Sequence, residues 1–196
     1  MAVYFVFDRD CIGRRLEEPD GDILDIDWYY WRIGAVLPSP PPNPLKFTLK
    51  RLNPNAWDHS PYMPSYFRAA APIFSDELIA ALEECGVDNL DTYNLDLFDP
   101  DNGQTYTNYK VVNIIGLIAA ADMQKSDATI HDSGSPPLYD VDFDSLVIDP
   151  AKAGGHYFFR LAESTNALII HEKVKQHLLA KGFTDLAFYE PSKVAL

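Results

Sequence analysis

One pattern occurs twice in this chain, and it limits what the chain can fold into. Ser75 precedes Asp76 and Glu77, then apolar Leu78, Ile79, Leu82 and Cys85, then Gly86. A serine at the cap position accepts a hydrogen bond from an orphan helix amide, and acids in the first turn meet the positive end of the dipole. The apolar residues share one face at helical spacing. Gly86 supplies a left-handed stop, and a strand is expected over 92–97. The second copy reads as a short strand over 168–170 and a helix over 171–181 with Val174, Leu178 and Leu179 on its apolar face. Gly182 is its stop, and a strand follows over 186–189. At an offset of 96 residues Ser75 meets His171, Leu78 meets Val174, Leu82 meets Leu178, Gly86 meets Gly182 and Tyr93 meets Tyr189. A duplicated unit and two independent solutions to one packing problem both produce this; the matching positions are mostly generic, which favours the second. Either way the fold class is α+β, helices packed on a mixed or antiparallel sheet.

The rest of the chain reads as strands and loops. Residues 2–7 form an opening strand, 9–27 a polar loop, and 28–37 a strand-like apolar run. Five prolines lie between Pro38 and Pro44; lacking the amide donor, this segment is extended and outside any sheet interior. A strand is expected over 46–52, an irregular covering loop over 53–72, a turn over 99–103 and a core-entering strand over 106–115. The organisation is thus a strand- and loop-rich region with a Pro-rich segment, 1–70, and an α+β region, 71–196, sharing one core.

Composition narrows the function. The chain carries 29 acids against 16 Lys plus Arg, a formal net charge of −13. A binder of nucleic-acid phosphates, or of an anionic membrane surface, needs a cationic face, so neither partner is expected. A basic partner is permitted and would be steered in by the acidic field. The two cysteines form no framework, the opening residues have no basic leader, and no apolar run approaches the ~18 residues that span a bilayer. A cytoplasmic location is expected.

The search for chemistry excludes the familiar motifs. No glycine-rich phosphate loop and no nucleophile elbow is present. His171 and His177 are six residues apart, which puts them on different helix faces where a zinc helix needs a spacing of four. The acids of 99–101 and 140–144 miss the calcium-loop pattern; in DVDFD, Asp142 and Asp144 alternating with Val141 and Phe143 read as one wet face of an edge segment. No metal site and no cofactor is expected. Arg160 follows two phenylalanines in a core strand, where a guanidinium needs a carboxylate or carbonyl partner.

The densest feature is EEPDGDILDIDWYYWR, residues 17–32. Glu17, Glu18, Asp20, Asp22, Asp25 and Asp27 are followed by Trp28, Tyr29, Tyr30 and Trp31. Acids set association rate and partner choice while Trp and Tyr anchor an interface. The candidate partner-binding residues are therefore Glu17, Glu18, Asp20, Asp22, Asp25, Asp27, Trp28, Tyr30 and Trp31. A solvated loop followed by a core strand explains the same composition.

Five pieces resemble one known family. They are PIFSDELIAALEECGVDNLDTY (72–93), YKVVNIIG (109–116) leading to Ala121-Asp122 and Lys125-Ser126, and SLVIDPAKAGGHYFFRL (145–161). The others are ALII (167–170) entering EKVKQHLLAKGFTDLAF (172–188), and the close Phe188-Tyr189. In order and spacing they resemble immunity family eleven of bacterial polymorphic toxin systems. The resemblance implies a cytoplasmic antidote that binds one cognate toxin, with no catalytic residues to carry over. The Pro-rich 38–44 departs from that pattern. If the toxin is a nuclease, its basic cleft suits an acidic inhibitor. Two other readings stand beside this one. An enzyme would show a polar pocket near 140–160, and an adaptor would present the Pro-rich strip to a partner domain.

Overall fold

In the computed structural model the described residues are 4–10, 13–17, 28–55, 60–69, 71–131 and 141–196, with the backbone alone at Trp28. In chain order the first elements are β1 (Tyr4–Arg9), α1 (Trp28–Ile33), β2 (Leu45–Thr48), β3 (Tyr66–Phe67), β4 (Ile73–Ser75), α2 (Asp76–Glu84) and β5 (Leu90–Asp99). Next come β6 (Gln104–Tyr106), β7 (Tyr109–Ile114), β8 (Leu117–Ile118), β9 (Asp127–Ile130) and β10 (Val141–Ser145). The last are β11 (Phe158–Leu161), β12 (Leu168–His171), α3 (Glu172–Ala180), β13 (Leu186–Tyr189) and a 3-10 turn at Pro191–Lys193. One sheet has the order β13-β1-β12-β11-β8, the other β2-β5-β7-β4-β3 with β6 on β5, and β9 and β10 form a separate ribbon. Parallel pairs (β2 with β5, β8 with β11) join antiparallel ones, so the sheets are mixed and the class is α+β.

The twice-written pattern becomes two units with the same spatial order of strands. In the first, β7 runs antiparallel between β4 and β5, which are bridged by α2. In the second, β1 takes the corresponding place between β12 and β13, bridged by α3. The registers agree as well. Ser75 lies opposite Tyr109 as His171 lies opposite Tyr4, and Leu90 opposite Ile114 as Leu186 lies opposite Arg9. An outer strand flanks each unit in the same register: Tyr66 of β3 lies opposite Phe74, and Phe158 of β11 opposite Ile170. The likeness therefore extends well past the generic cap and stop. Ser75 caps α2 as expected, and His171, read as the first helical residue, is instead the cap of α3. Ser75 Oγ accepts from Leu78 N at 3.2 Å, and His171 Nδ1 accepts from Lys173 N at 3.0 Å. Gly86 and Gly182 take φ of 95° and 89°, where an L side chain is strained.

Alternation along the strands divides the apolar residues among three cores. Phe5, Phe7, Phe74, Val112, Phe158, Leu168 and Ile170 face a central core shared by both units and covered by Leu78, Leu82, Val174 and Leu178 of the two helices. Tyr4, Val6, Phe159 and Ile169 face the opposite way, against Val141 and Phe143 of the β10 ribbon. Leu95, Leu97 and Val111 back the other sheet, with Leu45 and Phe47 of β2 alongside them and Trp31 covering them.

Reciprocal hydrogen bonds tie the units together. Asn89, before β5, donates through Nδ2 to Ile115 O and to Phe158 O on the other unit's outer strand, at 2.8 and 2.9 Å. Asp185, before β13, accepts from Ser65 N and Oγ beside β3, at 2.5 and 3.1 Å. Even the return bonds match: Ile115 N donates to Asn89 O, and Asp10 N to Asp185 O.

Two expectations are corrected. Residues 28–37 begin as helix, not strand. A short apolar run does not distinguish the two by periodicity. Gly34, at φ 60°, ends α1, and its Cα packs so closely on the Ile114 carbonyl that a Cβ has no room. The covering loop over 53–72 contains β3, whose Tyr66 and Phe67 are buried against β4.

Candidate functional site

The acidic-aromatic segment divides on the structure. Glu17 is exposed, and its amide is tied to Thr48 O at 2.9 Å. Glu18, Asp20, Asp22, Asp25 and Asp27 lie outside the described residues. Trp28 opens α1, and Tyr29 and Tyr30 are half-buried with their rings edge-on at 5.9 Å. Trp31 is fully buried and meets the Tyr93 ring edge-on at 5.4 Å. Its side chain belongs to the core and offers no contact face; an amphipathic turn that covers β5 and β7 must send one of its rings inward.

Exposed acids occur elsewhere too: Asp76, Glu77 and Glu83 on α2, and Asp127, Asp142 and Asp144 on the ribbon. The ribbon's alternation, Val141 and Phe143 inward with Asp142 and Asp144 outward, is the wet edge read from DVDFD. The Pro-rich strip lies along β5, with Asn94 Nδ2 donating to Asn43 Oδ1 at 3.0 Å and Pro41 buried. Among the described residues no three His, Cys, Asp or Glu side chains converge as a metal site, and no helix is long and apolar enough to cross a membrane.

Where the outer strands of the two units meet there is a cleft of about 250 Å³, lined by Arg32, Tyr66, Arg68, Arg160, Asn166 and Leu168, with Ala69 and Pro72. Arg160 is 5% exposed. Its Nη1 donates to Thr165 O at 2.7 Å, while Nε and Nη2 have no hydrogen-bond partner among the described residues. Arg32 Nε donates to Thr165 Oγ1 at 2.6 Å, so one buried threonine holds both guanidiniums. Burial, reinforced by the Arg32 charge, brings the Arg160 pKa down to about 10, against the opposing influence of Tyr66. Arg68, on the rim, pairs with Asp8 at 3.1 Å. Among the described residues, the carboxylate or carbonyl sought for Arg160 is thus the carbonyl of Thr165. Arg32, Arg68 and Thr165 carry no local signal in the sequence; only the strand pairing brings them to Arg160.

The model of the immunity protein family Imm11 matches residues 42–193. The chain belongs to this family. No curated protein matches it. The Imm11 match takes in the first helix-bearing unit, the second apart from its central strand β1, the cleft's Arg68 and Arg160, and the Gly stops, but it begins after α1 and after the acidic run that precedes it. What the match covers is therefore the scaffold, while residues 17–31 stand outside it.

Proposed function

We propose that this protein neutralises one cognate toxin by binding it, acting in the cytoplasm as an inhibitor and not as a catalyst. The observation that carries this reading is the family match over 42–193. The net charge of −13 supports a basic partner surface, such as a nuclease cleft shaped to hold phosphates. In this proposal Glu17, Glu18, Asp20, Asp22, Asp25 and Asp27 steer the encounter, and Trp28 and Tyr30 supply contact area beside them. Trp31 holds α1 on the sheet beneath.

The test is co-expression with a candidate toxin, the C-terminal domain of any large secreted protein encoded by a neighbouring gene, followed by titration calorimetry on the purified pair. Restored growth with tight one-to-one binding is expected. Restored growth without binding would replace the inhibitor with an enzyme that undoes the toxin's damage, and no protection at all would end the proposal for that toxin.

A further inference from the structure

The cleft between the two units reverses the character of the molecule around it. In a chain with 29 acids against 16 Lys plus Arg, its described lining holds three arginines and no carboxylate. Two of the three occupy equivalent places. Arg160 lies opposite Leu168 on β12. Carrying the β3–β4 register one residue past Phe67 and Ile73 places Arg68 beside Pro72, the first-unit counterpart of Leu168. The cleft thus lies where the two units present matching positions to each other.

A second buried arginine shows how this fold satisfies such a group when the purpose is structural. Arg14, 3% exposed, forms a two-pronged ion pair with Asp99 at 3.1 and 2.9 Å. It also reaches Asp101 at 2.9 Å and Lys50 O at 3.1 Å. Arg160 is buried to a similar degree, yet among the described residues it has one carbonyl, no carboxylate, and the like charge of Arg32 pinned to the same threonine. Burying a guanidinium without a counter-charge is costly, and the Arg32 charge nearby opposes that of Arg160. Such arrangements concentrate at binding sites, where a ligand supplies the missing charge. A guanidinium cluster selects oxyanions, since its planar N–H groups match carboxylate and phosphate oxygens.

We propose that the Arg32–Arg68–Arg160 cleft is a binding site for a small oxyanion, a carboxylate or a phosphate, which neutralises the buried Arg160. Arg160 supplies the desolvated charge, Thr165 fixes it beside Arg32, and Arg68 guards the entrance, its pairing with Asp8 open to exchange for the ligand.

The experiment titrates the full chain with inorganic phosphate and, separately, with acetate, at constant ionic strength held by chloride. The readouts are the thermal midpoint and the Arg160 Nε–Hε resonance. A hyperbolic, single-site response of both to at least one probe is expected, and the probe that saturates at the lower concentration identifies the tetrahedral or planar class. Arg68→Gln, at an exposed rim position, is expected to weaken the affinity about two- to tenfold. Arg160→Met removes the buried charge, a replacement cores usually tolerate, and is expected to abolish the hyperbolic rise in midpoint. A linear response to both probes no larger than that to chloride would overturn the proposal, as would Arg160→Met retaining the full rise. If Arg160→Met does not fold, the wild-type resonance and Arg68→Gln still decide.

Discussion

The two halves share strand order, register, helix length and glycine stop, yet they treat their equivalent positions differently. Arg68 is exposed and paired with Asp8, whereas Arg160 is buried beside Arg32 with no carboxylate partner among the described residues. Ser75 caps one helix, and an imidazole caps the other. Asn89 latches by donating and Asp185 by accepting. The comparison separates two demands on a sequence. Backbone geometry must recur, because pairing and crossover leave few alternatives. Charge and hydrogen-bond polarity need not recur, so function has room to differ between the units.

The strongest way to break this equivalence is to test whether the halves unfold together. Phe74 and Ile170 occupy matching places in the central core and are both fully buried. Phe74→Ala is expected to cost about 3–5 kcal/mol and Ile170→Ala about 2–5 kcal/mol. Each is expected to shift one common transition seen by far-ultraviolet circular dichroism and by tryptophan fluorescence. Two separated transitions would show that the units are independent.

Next in size are the latches. Asn89→Ala and Asp185→Ala are each expected to cost about 1–3 kcal/mol in denaturant unfolding, since each leaves backbone or hydroxyl groups at the junction without partners. A cost at one site alone would mean that the two junctions are not equivalent.

The caps sharpen the comparison through pH. Ser75→Ala and His171→Ala are each expected to cost about 1 kcal/mol at neutral pH. His171 caps through an unprotonated Nδ1, and burial holds its pKa below the usual histidine value, with Glu172 opposing and Lys173 assisting. The unfolded chain therefore binds its proton first. The stabilisation is fully present above the unfolded value near 6.5 and is lost as pH falls through the lower folded value. The wild-type minus His171→Ala difference should shrink over that window, while the Ser75→Ala difference stays flat. The smallest effect on stability, within about 0.5 kcal/mol, is expected from Asp20, Asp22, Asp25 and Asp27 together changed to Asn. The same variant should slow toxin association at low salt; an unchanged rate would remove this segment from the proposed interface.

The features legible in the sequence are those written in neighbouring residues. Both helices, both stops and the 186–189 strand follow from caps, spacing and glycine chemistry, and DVDFD gave away its wet face by alternation. The role of β1 was not legible, because a strand's partners leave no trace in its own composition. WYYW was misread as strand because four consecutive aromatics carry no period, and only the sheet beneath selects Trp31 as the inward ring. The arginine cleft was half legible: Arg160 stood out in a core strand, but Arg32, Arg68 and Thr165 join it only through long-range pairing.

The central place of β1 in the second unit has a consequence for synthesis. Its partners, 168–171 and 186–189, are made some 160 residues later. At roughly 5–20 residues per second this strand waits about 10–30 s on the ribosome with both edges open and Tyr4, Phe5, Val6 and Phe7 exposed. The first unit, whose strands lie together in the chain, can close in that interval. The last unit to close also completes the arginine cleft, so a truncated chain would carry a nearly finished first half and no oxyanion site.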